Sequence, residues 1–269
     1  MDILTHTLSG FAVGTVVASF STRGFKEKVI LFLVSGLAGA LPDLDAISLW
    51  SHFDSTIGRF FKLSHSGQEI YYAKFWYSHH AFLHSLFAGI FMAIILGIAI
   101  YFINTGFRSV TFSKIMESIR KNRLVLIGSM GGFLVHLLED MPTPSSVWGG
   151  VNFFWPSRAY NGGSGDIWWW NNYDIFLIVL GLISINLLLH LSRKVIAFNL
   201  KRFTVGVFIT AFALTLFQIK TRDFDFAYTG HTVNYPDYEL KSKELQREIL
   251  GDKLFEKMEK FDKSLGIYF

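Results

Sequence analysis

Residues 131–143 read GGFLVHLLEDMPT, the end of an apolar segment that carries His136 and Asp140. Four residues apart on a helix, those two side chains share one face, one turn above the other. A neutral imidazole beside a carboxylate suits a borderline divalent cation such as zinc. Ionisable groups inside an apolar segment are costly unless paired or coordinated, so they mark a candidate site. Two readings stand at this point: part of a metal site, or a His–Asp hydrogen bond that ties two helices. Three other apolar segments carry similar residues at a matching depth, which weighs toward the metal.

The surrounding chain sets the class. Its 269 residues are 51% hydrophobic and 17% aromatic, with 28 Phe and 7 Trp. The mean hydropathy is +0.36. That is too apolar for a soluble domain with half its surface in water, and it points to a polytopic helical membrane protein. The net charge of +4 calls for no nucleic-acid partner, because the basic residues lie where a membrane protein places them. No Cys is present, which excludes disulfides, a thiolate nucleophile and Cys-ligated metal. Asp2 and the lack of a basic run or small-residue cleavage site argue against a secretory signal peptide.

Outward from 131–143, the expected fold is all-α with about six membrane segments. Leu8–Phe20 is apolar but short, and is expected to be tilted or re-entrant. Val29–Trp50 is a span that Pro42 should bend, aiming Asp43 and Asp45. Ser51–Ser78 reads as an interfacial loop with short helical pieces, and Ala81–Ile103 as the clearest span. Leu124–Leu138 is short and Gly-rich. The loop Glu139–Asp174 holds Trp148, Trp155 and Trp168–Trp169–Trp170, which predicts an aromatic belt at one membrane face. Ile175–Leu191 and Phe203–Ile219 complete a membrane-embedded domain of residues 1–219. Residues 220–269 form a charged tail, within which Leu240–Leu265 reads as one amphipathic surface helix.

Basic residues give the orientation. The connections after segments one, three and five hold twelve: Arg23, Lys26, Lys28; Arg108, Lys114, Arg120, Lys121, Arg123; Arg193, Lys194, Lys201 and Arg202. Those after segments two and four hold four: Arg59, Lys62, Lys74 and Arg158. The positive-inside rule places the twelve in the cytoplasm, with both termini outside. His6, Asp43, Asp45, His79, His80, His84, His136 and Asp140 did not enter that count, yet they all fall at the outer face. So many donors suffice for one or two divalent ions, zinc being the natural choice.

Four of these stretches carry a family resemblance: THTL at 5–8, LPDLD at 41–45, HHAFLHSL at 79–86 and HLLEDMPT at 136–143. In this order they resemble the signature blocks of the YdjM-type membrane-bound metal-dependent hydrolases, over about the first 160 residues. The resemblance implies an inner-membrane protein with His6, Asp43, Asp45, His79, His84, His136 and Asp140 as metal ligands or their neighbours. A weaker similarity of ligand order links the chain to zinc-dependent phospholipase C and single-strand nuclease enzymes, which cleave phosphoesters. Their further downstream His and Glu ligands have no match here. Within the family pattern, His80 replaces an Arg, Ala81 and Leu83 replace small and hydroxyl residues, and Glu139 replaces an apolar one.

Helix geometry pairs His80 with His84, four apart, whereas the family pattern pairs His79 with His84. The ligand set expected with the family pattern is His6, Asp43, His79, His84, His136 and Asp140. Asp45 or the non-ligating His80 would take the proton of an attacking water, and Asp45 could instead orient a ligand histidine. Ser85 is expected to hydrogen-bond rather than attack, and Thr143 to cap the Asp140 turn. The expected function is hydrolysis of a phosphoester, or another ester, of a lipid-like substrate at the outer face. Rival readings are a metal-stabilised scaffold without turnover, and a transporter. A transporter should carry ionisable residues through the whole membrane depth, and these lie on one side only.

Overall fold

A computed structural model describes residues 1–106, 110–193, 195 and 197–265. Arg108 and Lys194, counted above for orientation, lie outside those residues. The described residues are helical, with no strand beyond three isolated β-bridges. The helices are α1 (Ile3–Phe20), α2 (Phe25–Ala40), α3 (Arg59–Phe61), α4 (Gly67–Tyr71), α5 (Leu86–Thr105), α6 (Phe112–Lys121), α7 (Arg123–Asp140), α8 (Tyr173–Ser192), α9 (Leu200–Lys220), α10 (Tyr235–Leu250) and α11 (Asp252–Leu265). Helices α1, α5, α8 and α9 are long and apolar enough to cross a membrane. A fifth candidate is α2 with the 3-10 turn Pro42–Leu49, bent by 47°. Apolar side chains such as Ile103, Leu188 and Phe217 are largely exposed, as lipid-facing residues are.

The expected count of about six included Leu124–Leu138, which lies within α7. That helix is 18 residues long but carries Arg123, Glu139 and Asp140 at its ends, and it packs among α1, α2 and α5. The short first segment is in fact an 18-residue helix. Asp2 caps it by accepting from Thr5 N and Thr5 Oγ1, both at 2.8 Å, so the polar turn Thr5–Ser9 continues the helix. Pro42 ends the regular part of α2, as expected, because its ring cannot continue the helix.

Small residues let α1, α2 and α7 approach closely, as in many membrane helix pairs. A Cβ added at Gly10 would stand 2.4 Å from Ser35 O, and one at Gly39 would stand 2.4 Å from His6 O. At Gly132 it would meet Ser35 O at 2.1 Å. Backbone therefore lies directly on backbone at the end where the polar residues collect. Further along, Asn186 donates to Thr15 Oγ1 at 2.9 Å, tying α8 to α1. His190 also reaches α1, through Thr15 O at 2.9 Å.

The tail is not one helix. Gly251, at φ +73°, separates α10 from α11. Both helices dock on the N-terminal end of α8. Arg222 pairs with Asp174 at 3.0 Å, Gln246 donates to Asp174 at 2.8 Å, and the Tyr173 hydroxyl donates to Asp262 at 2.8 Å. Phe255 and Met258 pack against Tyr173 and Phe176.

Candidate metal centre

Three chain segments bring side chains to one point. The 3-10 turn after Pro42 separates two carboxylates that are only two residues apart: Asp43 faces α7, and Asp45 faces the His79–His84 segment. His84 ends a short 3-10 turn, Phe82–His84, just before Ser85 caps α5 by accepting from Ala88 N at 3.1 Å. The last turn of α7 presents His136 and Asp140 on one face, as their spacing predicts.

Their second hydrogen bonds fix the tautomers. His136 Nδ1–H donates to Gly39 O at 2.7 Å, a contact that the glycine-mediated approach of α2 and α7 allows. His84 Nδ1–H donates to Asp45 Oδ2 at 3.0 Å. Both imidazoles therefore present an Nε2 lone pair, and the two Nε2 atoms stand 3.3 Å apart. Asp43 Oδ1 lies 3.7 Å from each Nε2. Asp140 Oδ2 lies 3.6 Å from His84 Nε2 and 3.0 Å from His136 Nε2. It is a buried oxygen without a hydrogen-bond partner.

With both imidazoles neutral, two Nε2 lone pairs and two carboxylate oxygens converge, an arrangement that either a proton on His84 or a bound cation relieves. Four ligand atoms arranged tetrahedrally around zinc at ordinary bond lengths stand about 3.3 Å apart. The five measured separations, from 3.0 to 3.7 Å, bracket that edge. Asp43, His84 and His136 therefore form a group that could hold a divalent ion, and Asp140 Oδ2 lies within reach of both histidine Nε2 atoms.

His6 lies beside this set. Its ring stacks on His136 with centroids 3.7 Å apart. Its Nδ1–H donates to Glu139 Oε2 at 2.8 Å, and its Nε2, which has no hydrogen-bond partner, stands 3.1 Å from Asp140 Oδ1. Glu139 also accepts from Ser9, and the Met1 amino group contacts Asp140 Oδ1. Asp140 could therefore bridge the four-donor set and a second, less complete position at His6.

His79 and His80 take different hydrogen-bond partners. His79 Nδ1–H donates to Asp45 Oδ1 at 2.6 Å, so Asp45 accepts from both His79 and His84. His80 has φ +60° and donates Nδ1–H to Gly150 O at 3.0 Å, which leaves Nε2 with its lone pair. The three rings form a buried group whose nitrogens lie close enough together to hold a metal ion, separate from the Asp43–His84–His136 group with which it shares His84. Burial opposes charge on His84, yet Asp45 and Asp43 outweigh it and push its pKa up to about 10. At His80, burial and the neighbouring His79 and His84 hold the pKa well below the ordinary imidazole value. Ser85 donates to Phe82 O at 2.6 Å and Thr143 to Asp140 O at 2.7 Å, the local roles expected of them.

Above the donors opens a chamber of about 530 Å³. His79, His80, Asp43 and Asp140 form its floor, and Tyr71, Tyr72, Trp148, Trp169, Trp170 and Tyr235 line it. Tyr71 stacks on His79 with centroids 4.5 Å apart, and Trp148 Nε1 donates to Tyr71 O at 2.8 Å. The Trp168–Trp170 run divides between a buried cluster and this chamber. Trp168 is fully buried against Phe226 and Tyr238, while Trp169 and Trp170 face the chamber. Sequence reasoning missed these rings because an aromatic residue in a membrane protein ordinarily marks the interface. It also noted Glu139 only as a departure from the family pattern, without its bond to His6.

No curated protein and no solved structure matches the chain. The model of the family described as YdjM inner membrane protein matches residues 1–223, well beyond the four short blocks and through the end of α9. The chain belongs to the YdjM inner membrane protein family.

Proposed function

We propose that the protein is an integral membrane hydrolase. It would use one tetrahedrally held divalent ion, zinc by its donor set, to cleave a phosphoester or another ester of a lipid-like substrate. The observation that carries this reading is the convergence of Asp43 Oδ1, His84 Nε2, His136 Nε2 and Asp140 Oδ2 at the floor of an open chamber. When bound, such an ion supplies a water that ionises near neutral pH and a charge that polarises the substrate oxygen. Asp45 holds His84 and His79 by their Nδ1 atoms, so it positions rings rather than taking a proton. His80 donates through Nδ1, keeps Nε2 free and lines the chamber, which places it to accept a proton from an attacking water. The aromatic walls shed water from the group that enters. Mean charge distribution along the chain favours the site and tail lying outside the cytoplasm.

The test is paired. Purified protein is assayed for bound metal and for hydrolysis of phosphoester and carboxylester lipid substrates. Wild type should hold stoichiometric metal and turn over. His136→Ala together with Asp140→Ala should lose both. His80→Ala should keep the metal and lose roughly 10²–10⁴-fold in turnover. Metal binding without hydrolysis of any ester would favour the scaffold reading instead.

A further inference from the structure

A second cavity, of about 340 Å³, lies on the other side of the metal centre. One wall is a single face of α9, formed by Phe208, Ala211, Phe212, Thr215, Leu216 and Ile219. At helical rise, the stretch from Phe208 to Lys220 is about 18 Å long. The opposite wall is Val135 and Leu138 of α7, with Ala12 of α1 and Leu182 of α8 at the back. Helices α8 and α9 are candidate membrane spans, and α9 is the least buried of them. What can enter between α9 and α7 from outside is therefore hydrocarbon rather than water.

The cleft is polar only at one end. There it meets Ser9 and Glu139, the carboxylate bonded to His6, and its rim carries the exposed Lys220–Asp166 pair at 2.8 Å. Met1 lines both this cleft and the aromatic chamber, so the two cavities adjoin at the metal centre. An elongated apolar slot with a zwitterionic rim matches one occupant: a phospholipid, chain inward and headgroup at the rim.

We propose that the α7–α9 cleft binds an acyl chain of a membrane phospholipid and holds its polar end beside Glu139 and the metal centre. This placement deepens the proposed function and rests on its lipid-like substrate. The chain approaches laterally from the bilayer, while the aromatic chamber receives the polar part from the water side. Glu139, at the junction, is a positioning residue, holding His6 and Ser9 where the cleft ends.

The experiment uses the full-length protein in vesicles of phosphatidylethanolamine and phosphatidylglycerol. One arm contains a phospholipid with a diazirine near the end of its acyl chain, and the other a free fatty acid with the same group. After irradiation, cross-linked peptides are mapped by mass spectrometry. The phospholipid arm should label residues 208–219 and 135–138 preferentially. Ala211→Trp or Thr215→Trp, either of which fills the slot, should cut that labelling at least several-fold. Gly206→Trp, where an added Cβ meets nothing within 4 Å, should leave it unchanged. Uniform labelling of all lipid-exposed helices, labelling by the fatty acid alone, or full labelling in both slot-filling variants would overturn the proposal. Bound metal measured on the same samples reports the hydrolase reading separately. Metal-free protein that labels in the slot would retain the cleft and discard the enzyme, and metal-loaded protein that does not label would do the reverse.

Discussion

Gly132 touches no proposed ligand, yet its replacement should cost most of the metal affinity. A Cβ there would lie 2.1 Å from Ser35 O, 3.0 Å from Ser35 C and 3.3 Å from Ser35 Cα, all rigid backbone of α2. Relief to the 3.4 Å of ordinary contact requires α7 to move about 1.3 Å from α2, because no side chain can yield instead. His136 lies one turn further along α7 and donates to Gly39 O of α2 at 2.7 Å. A movement of that size breaks this bond, frees the ring and pulls Nε2 away from Asp43. Metal sites tolerate only about 0.2 Å of error in bond length. A misplacement of about 1 Å at a positioned group commonly costs about 10²-fold, equivalent to about 2.7 kcal/mol. The assay is chelator competition for zinc on Gly132→Ala, with circular dichroism to confirm retained helix. Gly206→Ala is the internal control, since a Cβ there meets nothing within 4 Å. Folded Gly132→Ala that binds zinc within threefold of wild type would refute the claim that glycine packing sets the site.

Three further outcomes follow from the same geometry. Asp45→Asn should weaken zinc binding roughly 10–100-fold with helicity intact, because one carboxylate orients both His79 and His84; chelator competition measures it. Zinc affinity should rise with pH through the neutral range. The metal-free His84, with its pKa raised to about 10, holds a proton that binding must release, and calorimetry in buffers of different ionisation enthalpy should detect it. Asp174→Ala should loosen the tail. It leaves the buried Arg222 guanidinium without its carboxylate, a loss of roughly 3–5 kcal/mol, and limited proteolysis between α9 and α10 should accelerate.

The sequence already carried the donors of the site. His136 and Asp140 lie on one helix face because i and i+4 always do, and Pro42 bends the chain where a proline must. Placing THTL, LPDLD and HLLED at one membrane end needed only the charge count of the connections. Other features depend on tertiary neighbours. Nothing local distinguishes Asp43, a candidate ligand, from Asp45, which holds histidines; the sense of the 3-10 turn decides. His79 and His80 could not be separated because neither lies on a regular helix, and Asp45 sorts them. The aromatic chamber draws on residues 71–72, 148, 169–170 and 235, four remote stretches whose convergence leaves no periodic trace. The tail's amphipathic pattern was visible, but its partner was not. A bilayer and the end of α8 offer the same apolar invitation, and the buried Asp174–Arg222–Gln246 contacts select α8.

The central claim is that four side chains enclose one cation. Anomalous diffraction from crystals of the full-length protein, collected on either side of the zinc absorption edge, tests it most directly. One peak should appear about 2.0–2.2 Å from Asp43 Oδ1, His84 Nε2, His136 Nε2 and Asp140 Oδ2. A zinc-supplemented crystal with those four atoms ordered and no peak among them would contradict it.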